Sequence, residues 1–182
     1  MKKLVLIRHC QAEGRHRDSP LTYHGINQAH RLAEFLEEKD YQIDKVFSSP
    51  YMRSLETIRP YSLKTGVKIV VDSRLSERIL SSEPVEDWLD AIETSFEDLD
   101  YALPGGESSN DALNRVLELI EEIKQDEDDC ETVAFVTHGN LLSILLRHFD
   151  HSYGFKQWRL LRKPDVFIIE YDQENCQLQH IW

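Results

Sequence analysis

Short apolar runs alternate along the chain with longer segments in which apolar residues recur at helical spacing. Runs that are apolar nearly throughout are typical of strands buried on both faces of a sheet. The predicted strands are 4–7, 43–48, 67–71 and 132–137. The predicted helices cover approximately 22–39, 50–64, 84–96, 112–123 and 141–149. The segments 166–171 and 178–182, with a turn near 172–175, predict a hairpin at the end of the chain.

Individual residues add detail to the predicted helices. Thr22 is the expected N-cap of the first helix, since its hydroxyl can accept from a free backbone N–H. Pro60 should bend or shorten the second helix, because proline lacks the N–H that a helix interior needs. Trp88, Leu89 and Ile92 are expected to face inward from the third helix. The acidic run 126–129 after the fourth helix is interpreted as a solvated turn.

The alternation of strands and helices predicts an α/β fold. The expected architecture is a three-layer sandwich, with a mostly parallel central sheet and helices on both faces. The length of 182 residues suits one domain better than two, so we expect a single domain over 1–182. In open α/β sheets, ligands bind just beyond the carboxyl ends of the strands. The search for functional residues therefore starts at the strand ends.

Charge and cysteine content narrow the classes of function. Asp and Glu number 33 against 21 Lys and Arg, and the net charge of −12 disfavours a partner such as nucleic acid or an anionic membrane. A local cationic pocket that binds a small phosphorylated molecule is compatible with this charge. Three widely separated cysteines argue against a disulfide framework and favour a reducing, cytoplasmic location. The four-residue apolar run before Arg8 is too short for a secretory signal or a membrane span.

Side chains suited to phosphate chemistry follow each predicted strand. They are Arg8 and His9 after the first strand, Arg53 in the helix after the second, Glu77 after the third and His138 after the fourth. Guanidinium groups bind phosphate oxygens with bidentate geometry. An imidazole can accept a phosphoryl group, and a carboxylic acid can protonate a leaving oxygen. Each residue alone is readily explained by a structural role, but their joint occurrence at strand ends favours a phosphate site.

The same segments resemble the signature blocks of the histidine phosphatase superfamily, the phosphoglycerate mutase-like proteins. The segment 6–9 (Leu-Ile-Arg-His) is similar to the Arg-His-Gly signature, and 48–57 is similar to the Ser-Ser-x-x-x-Arg block. Further similar blocks lie at 21–29, 75–77, 104–108 and 136–139. The resemblance covers nearly the whole chain, and the order and spacing of the blocks make it specific. It implies the phosphoglycerate mutase-like version of the α/β sandwich.

The resemblance also implies a mechanism that needs neither a metal nor a cofactor. His9 would attack the substrate phosphorus and form a phosphohistidine. Arg8, Arg53 and His138 would hold the phosphoryl oxygens. Glu77 would protonate the leaving alcohol and then take a proton from the attacking water. The second nitrogen of His9 would need an acceptor such as a backbone carbonyl to fix its tautomer.

The chain departs from the family pattern close to His9. Cys10 stands where the signature usually has glycine, so a side chain must fit where the family has bare backbone. Arg15 stands where the family often carries a phosphate-binding asparagine; it either compensates as a cation or is a solvated loop charge. Three further basic residues are interpreted as solvated surface or as an extension of the cationic rim: Arg159, Arg162 and Lys163.

The short distances between the blocks favour hydrolysis over phosphoryl transfer to a second substrate. Cofactor-dependent mutases of this family are typically longer, with extra segments that exclude water. We therefore expect a phosphatase acting on a small phosphate ester, with 81–103 as a cap over the site. The alternatives are a phosphoglycerate mutase-like phosphotransferase and a non-catalytic phosphate-binding protein on the same fold.

Two other kinds of site fit the sequence less well. His9-Cys10 resembles the start of a cysteine phosphatase loop, but the position that should then carry arginine is His16. Histidines such as His148 and His151 suggest a metal site, yet their spacing matches no common ligand motif. No interleaving of basic and aromatic residues suggests nucleic-acid binding.

Overall fold

The computed structural model describes residues 1–39, 41–126, 130–172 and 175–182. Residues 127–129 of the expected acidic turn and 173–174 of the expected hairpin turn lie outside the described residues. The strands are β1 (Lys3–Arg8), β2 (Lys45–Ser48), β3 (Ile69–Val71), β4 (Thr132–Thr137), β5 (Asp165–Asp172) and β6 (Asn175–His180). The helices are α1 (Tyr23–Glu38), α2 (Met52–Thr65), α3 (Trp88–Glu97), α4 (Ser109–Gln125), α5 (Gly139–Phe149) and α6 (Phe155–Leu160), with a 3₁₀ turn at Ser73–Leu75.

The six strands form one mixed sheet in the order β3-β2-β4-β1-β5-β6. The four strands from β3 to β1 are parallel. β5 is antiparallel to β1, and β6 is antiparallel to β5, as expected of a terminal hairpin. The predicted α/β fold with a mostly parallel sheet is confirmed. Because β1, β2 and β4 are parallel, the loops that follow them leave the sheet at the same edge.

Two apolar clusters cover the two faces of the sheet. Leu4 and Leu6 of β1 pack with residues of α4 and α5 on one face, and the intervening Val5 and Ile7 pack with α1 and α2 on the other. These four side chains are fully buried. Alternate residues of a strand point to opposite faces, so a strand covered on both sides must be apolar at every position. The continuous apolar runs in the sequence are therefore explained by the three-layer arrangement, in which helices cover both faces of the sheet.

The start of α1 is fixed by a side-chain cap and a close backbone contact. The hydroxyl of Thr22 accepts from the backbone N–H of Gly25 at 2.9 Å, which confirms the predicted N-cap. Gly25 is buried, and a Cβ there would overlap the backbone carbonyl of Gln11. The same carbonyl accepts from the backbone N–H of Thr22 at 3.0 Å. The loop that follows β1 is thus held directly against the first turn of α1.

Pro60 does not shorten α2, so the sequence prediction is wrong in that respect. The helix continues to Thr65 and ends at Gly66, which adopts a left-handed conformation with φ of 78°. Residues on both sides of the proline, Ile58 and Tyr61, are buried in the core against the sheet. Their packing stabilises the helical path despite the missing N–H.

The prediction for the third helix is wrong at its beginning. α3 begins at Trp88 rather than near Pro84. Trp88 and Leu89 are each 36% exposed, whereas Ile92 is buried. The short helix α6 was not predicted, because none of its six residues is buried and no apolar stripe marks it.

The most apolar helix of the structure is α5, which lies against β1 and packs with α4. Its residues from Leu141 to Leu146 are buried, so it serves as a core helix. It contains 11 residues. Within the ranges that the structure describes, no helix has both the length and the apolar character needed to cross a membrane.

Replacing Gly25 by alanine is expected to destabilise the fold. An interior Gly→Ala change ordinarily stabilises a helix by about 1 kcal/mol. Here the overlap with the Gln11 carbonyl outweighs that gain, because the obstacle is backbone and cannot rotate away. We expect a lower melting temperature for Gly25→Ala, measured by circular dichroism. The exposed neighbour His24→Ala is the control; equal or higher stability of Gly25→Ala would contradict the close contact.

Candidate active site

The loops after β1, β2 and β4 bring four of the predicted site residues together. In the pairing of β1 with β4, Arg8 lies beside Thr137, so His9 and His138 follow as neighbours. The backbone N–H of His9 donates to the carbonyl of Thr137 at 3.0 Å. The ring centroids of His9 and His138 are 5.2 Å apart. Arg53 reaches the same place from the first turn of α2.

The ring of His9 is held at both nitrogens. Nδ1 lies 2.6 Å from the backbone carbonyl oxygen of Cys10. A carbonyl only accepts hydrogen bonds, so Nδ1 carries the proton. Nε2 then has a free lone pair and accepts from Arg53 Nε at 3.2 Å. The carbonyl of Cys10 is therefore the acceptor that was expected for the second nitrogen of His9.

The environment of His9 keeps its imidazole neutral. Its side chain is buried, and the residue is 6% exposed. Burial lowers the pKa of His9 to about 3, and the positive charges of Arg53, Arg8 and Lys163 act in the same direction, against the opposing hydrogen bond to Cys10. The ring is neutral at pH 7, and Nε2 can act as a nucleophile.

His138 is fully buried beside His9. Its Nε2 lies 2.7 Å from Ser49 Oγ and 3.5 Å from Ser54 Oγ. The ring of Tyr51 packs on it edge-on, with a centroid distance of 4.7 Å. Burial, aided by nearby positive charges, holds the pKa of His138 well below its ordinary value. Nδ1 of His138 has no hydrogen-bond partner among the described residues.

Arg53 is held by backbone carbonyls and an aromatic ring. Its Nη1 donates to the carbonyls of Arg15 at 3.2 Å and of His16 at 2.9 Å. Its guanidinium lies 4.7 Å from the centroid of the Tyr51 ring. Burial lowers the pKa of Arg53, although not enough to remove the charge of a guanidinium. The buried cation beside His9 therefore has acceptors that orient it but leave its charge unneutralised.

Arg8 is held in a similar way from the opposite side. Its Nη1 donates to the carbonyls of Leu161 at 2.7 Å and of Arg162 at 3.2 Å. Its Nε is buried without a partner in the described part of the chain. A Cβ on Gly139 would lie 2.7 Å from Arg8 Nη2. Only glycine at the start of α5 lets the guanidinium approach the backbone this closely.

Glu77 accepts hydrogen bonds from the N-terminal end of α5. Its Oε2 accepts from the backbone N–H of Asn140 at 3.1 Å, and its Oε1 accepts from that of Leu141 at 3.0 Å. Oε1 also accepts from the backbone N–H of Arg78 at 3.0 Å. A carboxylate is favoured at a helix N-terminus, where free N–H groups and the helix dipole attract it. The helix thus fixes the orientation of Glu77.

A cavity of about 620 Å³ is lined by the predicted site residues Arg8, His9, Arg53 and Glu77. Among its lining residues, Glu77 is the one carboxylate in the described part of the chain. The lining cations are Arg8, Arg15, Arg53, Arg78 and Lys163. His138 does not line it. In a chain with a net charge of −12, this local excess of cations makes the cavity suited to an anion.

Comparison with known proteins identifies the family of the chain. The sequence profile of the histidine phosphatase superfamily (branch 1) matches residues 4–182. The chain belongs to the histidine phosphatase superfamily. It is 32% identical over 162 residues to a candidate phosphoserine phosphatase 2 of Hydrogenobacter thermophilus, covering 80% of this chain and 77% of that one. It is 30% identical over 164 residues to a 2,3-bisphosphoglycerate-dependent phosphoglycerate mutase of Rhizobium etli, covering 80% and 78%.

A solved structure shows the same fold. Bacillus stearothermophilus YhfR superimposes with a TM-score of 0.78 at 27% identity, over 99% of this chain and 96% of that one. The recognition of a histidine phosphatase from the sequence blocks is thereby confirmed. Relatives of the chain include proteins named as phosphatases and proteins named as phosphoglycerate mutases.

Cys10, which replaces the usual glycine of the family signature, packs into a small apolar cluster. It is fully buried with Leu21 and Ala29. Its backbone N–H donates to Thr57 Oγ1 at 2.9 Å. Burial raises the pKa of the Cys10 thiol to about 12. The thiol is therefore protonated at pH 7, which argues against the alternative of a cysteine nucleophile.

Arg15 and one of the three expected rim cations line the cavity. Arg15 lies with its guanidinium carbon 4.8 Å from the centroid of the Trp88 ring. Lys163 lines the cavity as well. Arg162 instead forms a 3.5 Å ion pair with Asp165, and Arg159 packs over Phe155. Neither Arg162 nor Arg159 is among the lining residues.

The segment 81–103 contributes several walls of the cavity. Ser81, Trp88 and Ile92 line it, next to Ile79 and Leu80. The segment is tied to the rest of the fold by the residue after Glu77, Arg78. Its Nη1 donates to Ser95 Oγ at 2.6 Å and its Nε to the carbonyl of Glu107 at 2.9 Å.

Sequence reasoning missed two residues that shape the site. Trp158 of α6 lines the cavity and contacts Trp88, with ring centroids 6.4 Å apart. Asp165 is 1% exposed and accepts from the backbone N–H of Arg162 at 2.9 Å. The one available signal for Asp165 was an acidic residue directly before the apolar run 166–169. Within the described ranges, no cluster of three or more metal-ligating side chains is present.

The two buried histidines should make stability depend on pH. Their pKa values are lowered in the folded protein, His9 to about 3 and His138 well below 6.5, so the unfolded chain binds more protons below pH 6.5. Their contribution is complete above pH 6.5 and is lost as the pH falls, by at most about 1.4 kcal/mol per imidazole per pH unit. The free energy of unfolding, measured by urea denaturation, should therefore fall less steeply from pH 7 to pH 5 in His138→Gln. The exposed His30→Gln is the control, and an unchanged slope in His138→Gln would contradict the prediction.

Proposed function

We propose that this histidine phosphatase hydrolyses a small phosphomonoester through a phosphohistidine at His9, without a metal. The observation that carries the proposal is the pair of hydrogen bonds of the His9 ring, which together fix its tautomer. The Cys10 carbonyl holds the proton on Nδ1, and Nε2 keeps its lone pair beside Arg53. A neutral imidazole with a fixed orientation is the form required for attack on phosphorus.

Arg8, Arg53 and His138 are proposed to hold the phosphoryl oxygens. Both guanidiniums lie on the cavity wall and lack a carboxylate partner within hydrogen-bond distance among the described residues. Arg8 Nε and His138 Nδ1 are buried polar atoms without a described partner. Buried polar atoms are ordinarily satisfied, and the Arg8 Nε–H in particular lacks an acceptor, which supports a ligand with several acceptor oxygens. The same cations would stabilise the charge of the transferring phosphoryl group, as a metal ion does in other phosphatases.

Glu77 is proposed as the proton donor and acceptor of the reaction. Nε2 of His9 forms a bond to phosphorus while the ester P–O bond breaks, and the departing alkoxide takes a proton from Glu77. Water then attacks phosphorus and gives a proton to Glu77, while the P–N bond breaks and phosphate leaves. Oε2 accepts one backbone hydrogen bond and Oε1 accepts two, so Oε2 has the freer lone pair to carry the proton.

Arg15 and the segment 81–103 are proposed to complete the site of a single domain over 1–182. Arg15 adds a cation to the cavity and is assigned to binding of the phosphorylated substrate. The segment 81–103 is assigned as the cap, because Ser81, Trp88 and Ile92 form part of the cavity wall. A cavity of about 620 Å³ is of the size that encloses a small molecule, which supports a small phosphorylated metabolite as partner.

Hydrolysis is proposed rather than transfer to a second substrate. The relatives named above include a candidate phosphoserine phosphatase and a phosphoglycerate mutase, so a mutase activity is the second candidate. The 182-residue chain holds little sequence between its family blocks to form a cover that excludes water. Water that reaches the phosphohistidine would hydrolyse it.

His9→Ala should abolish hydrolysis of p-nitrophenyl phosphate. Loss of the nucleophile removes the covalent route, and we expect a decrease in kcat of about 10³-fold or more. Release of p-nitrophenol is followed by absorbance. The exposed His30→Ala is the matched control. Phosphate binding by calorimetry without turnover by the unmodified protein would indicate the non-catalytic binding protein instead.

Product analysis distinguishes the phosphatase from the mutase. Incubation with 3-phosphoglycerate and a small amount of 2,3-bisphosphoglycerate should release inorganic phosphate, because water is the expected acceptor. Phosphorus NMR measures both products in one sample. Formation of 2-phosphoglycerate faster than phosphate would assign the chain to the mutases.

A further inference from the structure

The cavity contains more positive charge than one phosphoryl group requires. A phosphoryl dianion is matched by the two guanidiniums of Arg8 and Arg53. Three further cations lie on the wall: Arg78, which donates to Ser95 Oγ and to the carbonyl of Glu107, and Arg15 and Lys163. The single lining carboxylate of the described residues, Glu77, is engaged by backbone N–H groups of α5 and forms no ion pair with Arg15 or Lys163.

Lys163 is held in this position by its own loop. The two residues before it, Leu161 and Arg162, present their carbonyls to Arg8 Nη1 at 2.7 and 3.2 Å. The carbonyl of Lys163 accepts from Gln28 Nε2. Asp165, two residues later, is buried and accepts from the backbone N–H of Arg162 at 2.9 Å. The backbone is therefore fixed on both sides of Lys163, and its ammonium group lies at the cavity because of that loop.

The ammonium of Lys163 lies in a strongly positive environment. In the part of the chain that the structure describes, it has no carboxylate within ion-pair distance. Partial desolvation lowers the pKa of Lys163, and so do the charges of Arg8, Arg53 and Arg15, against the opposing charge of Glu77. Unpaired cations that repel one another destabilise the free site, and an anion that they share would relieve that repulsion.

Arg15 is held on the other side of the cavity by an aromatic ring. Its guanidinium packs over Trp88 at 4.8 Å, and Trp88 belongs to α3 of the cap. Trp88 in turn contacts Trp158. A guanidinium that packs over a ring keeps the N–H donors at its edge free for a ligand. Arg15 therefore offers donors from the cap side, away from the carbonyl-bound Arg8.

We propose that Lys163 and Arg15 form a second anion subsite, which binds a negatively charged group on the leaving alcohol of the substrate. This inference rests on the proposed phosphatase function and specifies its substrate class. The preferred substrates are phosphomonoesters whose alcohol carries a carboxylate or a further phosphate. Esters of neutral alcohols leave Lys163 without a counter-charge and bind more weakly.

Matched substrate pairs test the subsite. 3-Phosphoglycerate and glycerol 3-phosphate differ in a carboxylate against a hydroxymethyl group, and fructose 1,6-bisphosphate and fructose 6-phosphate differ in a second phosphate. We expect kcat/KM for the charged member of at least one pair to exceed that of the neutral member by about tenfold or more, the effect of one added charge-assisted hydrogen bond. The pair that shows the preference identifies the anion as carboxylate or phosphate. Equal kcat/KM within both pairs would overturn the proposal.

Variants of Lys163 show whether this residue provides the preference. Lys163→Gln should reduce the ratio within the preferred pair toward one, mainly through KM for the charged substrate, and Lys163→Arg should retain most of the ratio. Lys68→Gln, the same charge change at an exposed residue outside the cavity, should leave the ratio as it is. An equal loss for both members of the pair in Lys163→Gln would place Lys163 at the transferred phosphoryl group and overturn the second subsite.

The two proposals fail in distinguishable ways. Turnover of p-nitrophenyl phosphate that depends on His9, without any preference within the pairs, rejects the subsite and retains the phosphatase. Without turnover of any ester, the phosphatase is rejected, and calorimetry still tests the subsite through dissociation constants for the same pairs. In that case, tighter binding of the charged member of a pair by the unmodified protein, with loss of this difference in Lys163→Gln, supports the subsite. Equal dissociation constants for both members reject it.

Discussion

The parallel pairing of β1 with β4 is the constraint on which the site depends. Arg8 and Thr137 lie side by side in the sheet, so the residues that follow them, His9 and His138, leave it as neighbours. Their ring centroids are 5.2 Å apart, and both residues are buried. Burial among guanidinium groups makes protonation of either ring unfavourable. The sheet register thus produces a neutral imidazole surrounded by fixed positive charge, which is the combination that attack on a phosphate dianion needs.

Backbone groups orient the charged side chains of the site. Arg8 and Arg53 are oriented by carbonyl oxygens, and Glu77 is oriented by the N–H groups that begin α5. Carbonyls hold a guanidinium without neutralising it, whereas a carboxylate partner would compete with the substrate. The close approach of Arg8 to Gly139 shows how the start of α5 accommodates both groups. The loop before β5 then adds Lys163 to the same cavity, so that positioning of Arg8 and of the second anion subsite that we propose share one structural element.

Much of the fold could be predicted because strands buried on both faces appear in the sequence as continuous apolar runs. The run 132–137 was predicted to the residue, since a short and largely apolar run of this length is typical of a strand buried on both faces. Predictions were less accurate where side-chain packing, rather than the periodicity of apolar residues, determines where a helix begins and ends. Pro60 lies inside α2 because the side chains that flank it are buried. The helix α6 was not predicted because none of its residues is buried. The start of α3 was misplaced because Trp88 faces the cavity instead of the core.

The sequence by itself determined the layers, the strand ends and the residue types found there, because those depend on local apolar patterning and on the common edge of parallel strands. It did not determine the tautomer of His9, since the acceptor is a carbonyl that every residue carries. Nor did it determine which cations face the cavity. Lys163 lines it and Arg162 does not, although they are adjacent in the chain, because Asp165 pairs with one and the loop directs the other inward. Such distinctions arise from contacts between distant segments, which only the tertiary structure brings together.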